Sequence, residues 1–478
     1  MASKLSVRSI RDPHFLLWAL VLIVGLLGPG SSATQAQVAK TEPEFRLSVF
    51  STDVTPPLGH PLLGGTTTPP PAHAIDDPLF ARGFVLSGGE HPVVVVSIDW
   101  CEIRNDAYDR WREVLAHAAG TTRERVLVTS IHQHDTPLAD LEAQRILDRS
   151  KLKGQLVDLD FHEACVQRTA TALRDAMKVS RPVTHFGLGQ GAVEKVSSNR
   201  RYLGPDGKPK FDRSSMSGAD AFKRDAPDGV IDPYLRTLSF WNHDSPICAL
   251  HLYAVHPMSN WGSGRVTADF PGLARSRRQL DDPAVFQIYE SGCAGDVTPG
   301  KYNDGGPQQK EVLAGRLYDA MVTAWKKTQR YPLRKADFRS APLQLPPRDT
   351  EGYTNAELTA QLDHPDSKKR CLAAMGLSWK QRLDAGQPID LAALDLGEAI
   401  IVLLPGESYV AFQLAAQKLR PDVVVLAIGY GESGSGFVPI EEAWDEDDRN
   451  LSSWCWVGRG AEKQMLKGLR KVLLVPAD

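Results

Sequence analysis

Three times along this chain two apolar runs flank a short polar turn, and each pair is followed by a helical segment and a further apolar run. The first pass has Leu79 to Leu86 and Val93 to Ile98 on either side of Ser87-Gly88-Gly89-Glu90. A helix is predicted next, because Tyr108, Trp111, Leu115 and Ala118 recur at helical spacing, with Asn105 placed to cap it and Gly120 to stop it. The strand Val126 to Ile131 then leads into His132-Gln133-His134-Asp135-Thr136-Pro137. The second pass has Leu235 to Trp241, the turn His243-Asp244-Ser245-Pro246, Ile247 to Val255, a helix from Phe270 to Leu280 and a strand from Val285 to Tyr289. The third has Leu391 to Leu396, a turn at Gly397-Glu398, Ala399 to Leu404, a helix ending at Leu419, and Val423 to Ile428 before the glycine-rich Gly429 to Gly436.

Short, almost uninterrupted apolar runs between turn residues are strands buried on both faces, and helices must then cover those faces. The expected fold class is therefore α/β: mixed sheets with flanking helices, built from repeated hairpin-helix-strand units. Residues 40 to 75, rich in Pro, Thr and Gly, read as irregular, with regular structure starting after Asp77-Pro78.

The polar residues of interest all stand just past strand ends, where open α/β sheets place their ligands. His132 and His134 are two apart, so extended backbone turns both imidazoles to one side. An HxH pair serves equally as two hydrogen-bonded polar side chains, so it does not define a metal site alone. His256 follows Ile247 to Val255 and is fixed by Pro257, and Glu407 follows Ala399 to Leu404 in a Pro-Gly turn. A glutamate there can bind a cation or act as an acid at the N-terminus of the Tyr409 to Leu419 helix. His132, His256 and Glu407 together have the composition of a catalytic zinc site with an open position.

Other chemistries lack their signatures. There is no HExxH, since His162-Glu163 has no correctly spaced second histidine, and no GxSxG nucleophile elbow. Gly429 to Gly436 lacks the Lys-Ser/Thr of a phosphate loop and is followed by Glu441 and Glu442, which repel phosphate. The formal charge of -3, with no Lys/Arg block in the mature part, argues against a nucleic-acid partner. The run Asp445 to Asp448 reads as a solvated loop.

The first 36 residues have the order of a secretory signal peptide: Lys4, Arg8 and Arg11, the apolar run Phe15 to Leu27, then Ser31, Ala33 and Ala36. Cleavage near Ala36 or Gln37 is expected, giving one exported catalytic domain over 37–478, periplasmic or secreted. No later run reaches the roughly 20 apolar residues of a spanning helix, and no cysteine precedes Cys101 to take a lipid anchor. The six cysteines show no CxxC spacing; an oxidising compartment permits disulfides whose pairing the sequence does not give.

The order of motifs resembles the catalytic domain of the neutral ceramidases, zinc-dependent amidases that release a fatty acid from an N-acylated sphingoid base. The resemblance lies in Ser130-Ile131-His132-Gln133-His134-Asp135-Thr136-Pro137, Val255-His256-Pro257, Gly295-Asp296-Val297-Thr298-Pro299 and Leu404-Pro405-Gly406-Glu407. It implies that His132, His256 and Glu407 are zinc ligands, and that Arg200 of Ser198-Asn199-Arg200 meets substrate oxygen. The family serine of the third motif is Thr298 here, the family's tyrosine zinc ligand falls on Phe437, and no C-terminal immunoglobulin-like domain is expected before Asp478.

The expectation is therefore an exported zinc hydrolase of a small-molecule or lipid amide. In it His134 and Arg200 contact the carbonyl or oxyanion, and Asp296 with Thr298 orients water or supports the ligands. The rival is a non-catalytic exported binding protein whose site Phe437 has degraded, with Tyr430, seven residues earlier, as the residue that can restore a hydroxyl.

Overall fold

Each of the three passes folds into its own mixed sheet. The computed structural model describes residues 44–62 and 70–476, so the segment read as a signal peptide and residues 63–69 lie outside the described residues. In the first sheet Phe80–Ser87 and Val93–Ile98 form an antiparallel hairpin, the Asn105–Ala119 helix crosses over, and Val126–Ser130 returns parallel to Val93–Ile98. In the second, Tyr234–Asn242 and Ser245–Tyr253 make the hairpin, and Phe286–Ser291 returns parallel after the Asp269–Asp281 helix. In the third, Ile389–Asp395 and Ala399–Leu403 are followed by the Val410–Leu419 helix and the parallel strand Val424–Ile428.

Burial explains why these strands read as unbroken apolar runs. Val95, Leu127, Leu250, Leu252, Ile288, Ile401, Leu403 and Leu426 join one apolar cluster that draws on all three sheets. Their neighbours point the other way, against helices. Val94 and Val96 pack with Trp111 and Leu115, and Ile400 and Val402 pack with Phe412 and Leu469. Both faces are thus dry, and alternation between polar and apolar residues is lost.

Two local expectations are corrected. The segment read as irregular contains the strand Arg46–Asp53, which pairs along its length with Phe80–Ser87. Its Pro- and Gly-rich surroundings hide a pairing that only the partner strand defines. Asn105 does not cap its helix: Arg104 holds the cap position without a side-chain bond, Asn105 is the first helical residue at φ 48°, and its amide donates to Glu432 at 2.6 Å. Gly120 does end that helix, at φ 65°. The six cysteines, for which the sequence leaves disulfide formation and pairing open, are all buried free thiols. No helix among the described residues is long and apolar enough to cross a membrane.

His162 is buried between Trp100 and Trp111, and neither ring nitrogen has a hydrogen-bond partner. Burial pushes its pKa down to about 4. Below pH 6.5 the unfolded chain takes up a proton that the folded imidazole refuses until about pH 4, so stability falls as pH drops through that window. The full shift corresponds to about 3 kcal/mol. His162→Phe is expected to narrow the gap in urea-unfolding free energy between pH 7 and pH 4.5 by roughly 2 kcal/mol or more. An unchanged gap assigns the acid sensitivity elsewhere, with His251, also pushed down to about 4 by burial, as the next group to test.

Candidate metal centre

The ends of the three sheets are stitched together, which brings their terminal loops to one place. Ser130 N donates to Tyr430 O at 3.1 Å and Gly429 N to Ser291 O at 2.9 Å. Gly292 bridges to Ile428. From these ends His132 leaves the first sheet, His256 the second, and Glu407 the third, each no more than 2% exposed.

His132 and His134 do converge, but not through strand alternation. The strand stops at Ser130, and His132 and Asp135 take left-handed φ values of 73° and 57°. Such values in bulky residues are strained and recur at functional sites. Asp135 helps hold that loop, its carboxylate accepting from Gly262 N at 3.0 Å and from Ser263 N and Oγ at 2.9 and 2.7 Å.

His132 Nε2 lies 3.0 Å from His256 Nε2 and 3.4 Å from Glu407 Oε2, and His256 Nε2 lies 3.8 Å from the same oxygen. Tetrahedral ligands at zinc distances are separated by about 3.3 Å, close to this spacing. The second nitrogens settle the tautomers. His132 Nδ1 is 2.8 Å from Cys101 O and His256 Nδ1 is 3.3 Å from Ala294 O, so each ring donates through Nδ1 and turns a lone pair inward at Nε2. A backbone carbonyl behind a ligating histidine is the usual support of a metal site. Glu407 Oε2 is buried without any hydrogen-bond partner. Two inward lone pairs and an unbonded carboxylate oxygen in a dry space repel one another unless a proton or cation sits among them, so this donor set fits a divalent cation.

Without such a cation the electrostatics divide the two rings. Burial disfavours charge on both, yet the Glu407 carboxylate holds His132 well above the usual imidazole range. Burial and then the charge on His132 hold His256 well below it.

Glu407, readable as a cation ligand or as a helix-terminal acid, is not the acid at the N-terminus of the Val410–Leu419 helix. It lies in a short bridge to Phe437, and the carboxylate capping the Val410–Leu419 helix is that of Asp296, whose Oδ1 accepts from Val410 N at 2.8 Å. Asp296 Oδ2 accepts from Asn199 Nδ2 at 2.8 Å, and its carbonyl accepts from Arg200 N at 2.6 Å. Asp296 therefore braces the Arg200 strand against the Glu407 turn. Thr298 pairs with Ser198, and its hydroxyl accepts from Gly300 N at 3.2 Å. Neither Asp296 nor Thr298 lines the cavity that holds the histidines. Gly295 is fixed by the same crowding, since a Cβ there would stand 2.2 Å from Glu407 O.

Of Phe437 and Tyr430, the two residues weighed for the tyrosine's place, it is Tyr430 that stands beside the histidines. Tyr430, at φ 55° and 1% exposed, stacks on His132 with ring centroids 4.4 Å apart and places its hydroxyl 3.4 Å from His256 Nδ1. Phe437 only walls the cavity. His134 Nε2 lies 3.3 Å from His256 Nε2, and its donor atom groups with those of Cys101 and His132 rather than with Glu407. Arg200 shares the cavity, its Nε buried and unbonded.

Sequence reading missed Glu102, whose carboxylate lies 3.9 Å from His132 Nδ1 and accepts from Arg104 at 2.6 Å and from Trp454 Nε1 at 3.1 Å. Burial, then the Glu407 charge, raise it to about 7 against the opposing pull of Arg104. It also missed Trp261 and Trp454 as cavity walls. Only Glu102-Ile103-Arg104, with its charges just past the apolar run Val93 to Ile98, carried a signal. The supposedly solvated Asp448 is buried and accepts from Tyr409 Oη at 2.5 Å. The cavity measures about 190 Å³, below the roughly 300–1,000 Å³ of most ligand sites.

The fold has counterparts among solved structures. A ceramidase complexed with C2 matches with a TM-score of 0.66 at 16% identity, covering 91% of this chain and 75% of that one. The neutral ceramidase of Pseudomonas aeruginosa matches with a TM-score of 0.65 at 15% identity, covering 92% and 76%. The resemblance drawn from the four motifs thus holds for the fold over nine-tenths of the chain. No family model matches the sequence. Protein YPR117W of Saccharomyces cerevisiae is 28% identical over 135 residues, which cover 26% of this chain and 5% of that protein's length.

Proposed function

We propose that this chain, built on the neutral-ceramidase fold, is an exported zinc-dependent hydrolase of a linear amide bond in an N-acyl substrate. The observation that carries the reading is the buried meeting of two carbonyl-backed imidazoles with the unbonded Glu407 oxygen. His132, His256 and Glu407 would hold the metal, and His₂Glu is a catalytic rather than a closed structural ligand set. When bound, zinc supplies Lewis acidity for carbonyl polarisation and water activation.

The protein's own groups divide the remaining work. Arg200 lines the cavity and offers donors to a developing oxyanion; Tyr430, outside that lining but stacked on His132 with its hydroxyl beside His256 Nδ1, is the proposed second donor, and His134 is the imidazole placed to carry a proton toward the leaving nitrogen. Asp296 positions both Arg200 and Glu407 rather than touching substrate. The rival reading as a degraded binding protein rested on Phe437, and the presence of Tyr430 beside both histidines removes that support.

Elemental analysis of the purified mature protein, paired with turnover of a short and a long N-acyl amine, tests the reading. One zinc per chain with hydrolysis is expected; a metal-free protein that gains neither zinc nor activity on reconstitution overturns it. The same preparation tests export, since its N-terminal sequence is expected to begin near Ala36 or Gln37, and retention of Met1 overturns that part.

A further inference from the structure

The cavity that holds the histidines is lined by three cations and a single carboxylate. The carboxylate is Glu407, which already faces the two Nε2 atoms. The cations are Arg200, Lys368 and Arg449, brought from three separate parts of the chain. Exposure orders them by depth. The histidines and Glu407 are at most 2% exposed and form the floor, whereas Lys368 is half-buried and Arg449 exposed, so these two stand where the cavity opens. Leu372, one helical turn after Lys368, and Trp454 give the same cavity an apolar wall.

None of the three positive charges is neutralised by contact. Among the described residues their side-chain nitrogens make no hydrogen bond and no ion pair within 4.0 Å, and Arg200 Nε is buried in that condition. The Arg200 charge reaches Asp448, but the oxygens of that carboxylate are taken by Tyr409 Oη and Asn450 N. Neighbouring arginines outside the lining are treated differently: Arg201 is paired with Glu446, and Arg104 with Glu102 and Asp140. Like charges gathered around one concave site repel one another and focus positive potential into it. A divalent cation at the floor, with only Glu407 against it, adds to that excess. A neutral amide gains nothing from the arrangement, whereas a substrate with its own negative charge relieves it.

We propose that the substrate carries a carboxylate close to the scissile amide, held by Lys368 and Arg449 where the cavity opens, with Arg200 left to the reacting carbonyl. The inference rests on the hydrolase reading and narrows it from N-acyl compounds in general to anionic ones, of which N-acyl amino acids are the simplest. Hydrolysis adds one water across the C–N bond of such a compound and yields a carboxylate and an amino acid, whose nitrogen takes up the released proton. Lys368 and Arg449 share one lining with the metal-ligand candidates, so the group they hold lies near the bond that breaks. They are specificity-determining residues, set apart from the chemistry at the floor.

The full mature protein with its metal is tested on N-octanoylglycine, on the uncharged N-octanoylethanolamine, and on N-octylsuccinamate, which carries its carboxylate on the acyl side. The better of the two anions is expected to exceed the neutral amide in kcat/KM by about tenfold, since each charge contact at a partly exposed position is worth a few-fold. Which anion it is fixes the side of the amide on which the carboxylate lies. The gap is expected to narrow as salt is added. Lys368→Gln and Arg449→Gln are each expected to narrow it about twofold to fivefold, through KM, and Arg449→Lys to keep most of it. That dependence separates these side chains from the metal, for which any carboxylate has affinity. Calorimetric titration with the ketone in which methylene replaces the amide nitrogen of N-octanoylglycine, and with the matching alcohol, gives the same comparison without turnover. Equal treatment of anion and neutral compound, or an anion preference that both glutamine variants leave intact, overturns the proposal. Anion-selective binding in a protein that hydrolyses no amide would leave the cavity assignment standing and remove the hydrolase reading. Hydrolysis without charge preference would do the reverse.

Discussion

His256→Ala is expected to leave the purified protein without stoichiometric metal and to reduce N-acyl hydrolysis by more than about a hundredfold. Loss of partners merely behind a ligand already costs about 10- to 100-fold in affinity or activity, and an open three-ligand site that loses a ligand costs more. His132→Ala and Glu407→Ala are expected to behave alike. Glu407→Gln separates charge from shape: the amide keeps the packing beside Phe437 but removes the anion that faces both Nε2 atoms. It should therefore lose metal as fully as the alanine variant. His134→Ala is expected to keep the metal and lose turnover, because its donor does not group with Glu407. Inductively coupled plasma analysis and initial rates on the same samples decide the matter. Full zinc in all of these variants would place the site elsewhere.

Tyr430→Phe is expected to lower turnover roughly a hundredfold while leaving metal content and unfolding free energy nearly unchanged, the scale of loss seen when one positioned oxyanion donor is removed. The substitution deletes only the hydroxyl that stands 3.4 Å from His256 Nδ1 and keeps the ring stacked on His132. Phe437→Tyr is expected to change turnover less than about threefold, because Phe437 is paired through its backbone to Glu407 and serves as cavity wall. A fully active Tyr430→Phe together with an improved Phe437→Tyr would return the tyrosine role to the Phe437 position. The split between kcat and KM adds a check: loss confined to KM would make Tyr430 a substrate-binding group instead of an oxyanion donor.

Much of the fold was legible because burial leaves a periodic trace. Strands dry on both faces read as unbroken runs such as Val93-Val94-Val95-Val96, and turns of Gly, Asp and Ser punctuate them. The positions of His132, His256 and Glu407 past strand ends were legible for the same reason, since the end of a run marks the end of a strand. The strand Arg46–Asp53 was not, because it is flanked by Pro- and Gly-rich chain and is defined by its partner.

The sequence by itself determined that three hairpin-helix-strand units carry polar residues at their ends, and which residue types those are. Only the tertiary structure decided what each residue does there. Whether Tyr430 or Phe437 supplies the ring over His132 depends on a left-handed turn at Tyr430 and on the bond from Ser130 N, 300 residues away in sequence. Whether Glu407 or Asp296 caps the Val410–Leu419 helix depends on contacts across more than a hundred residues. The orientation of each imidazole depends on a carbonyl brought from elsewhere in the chain, Cys101 O for His132 and Ala294 O for His256. Such choices rest on single hydrogen bonds between distant loops, and a single bond imposes no period on the residues around it. Apolar burial repeats along the chain and can be read there; directed polar contacts occur once and are fixed only when the three sheets meet.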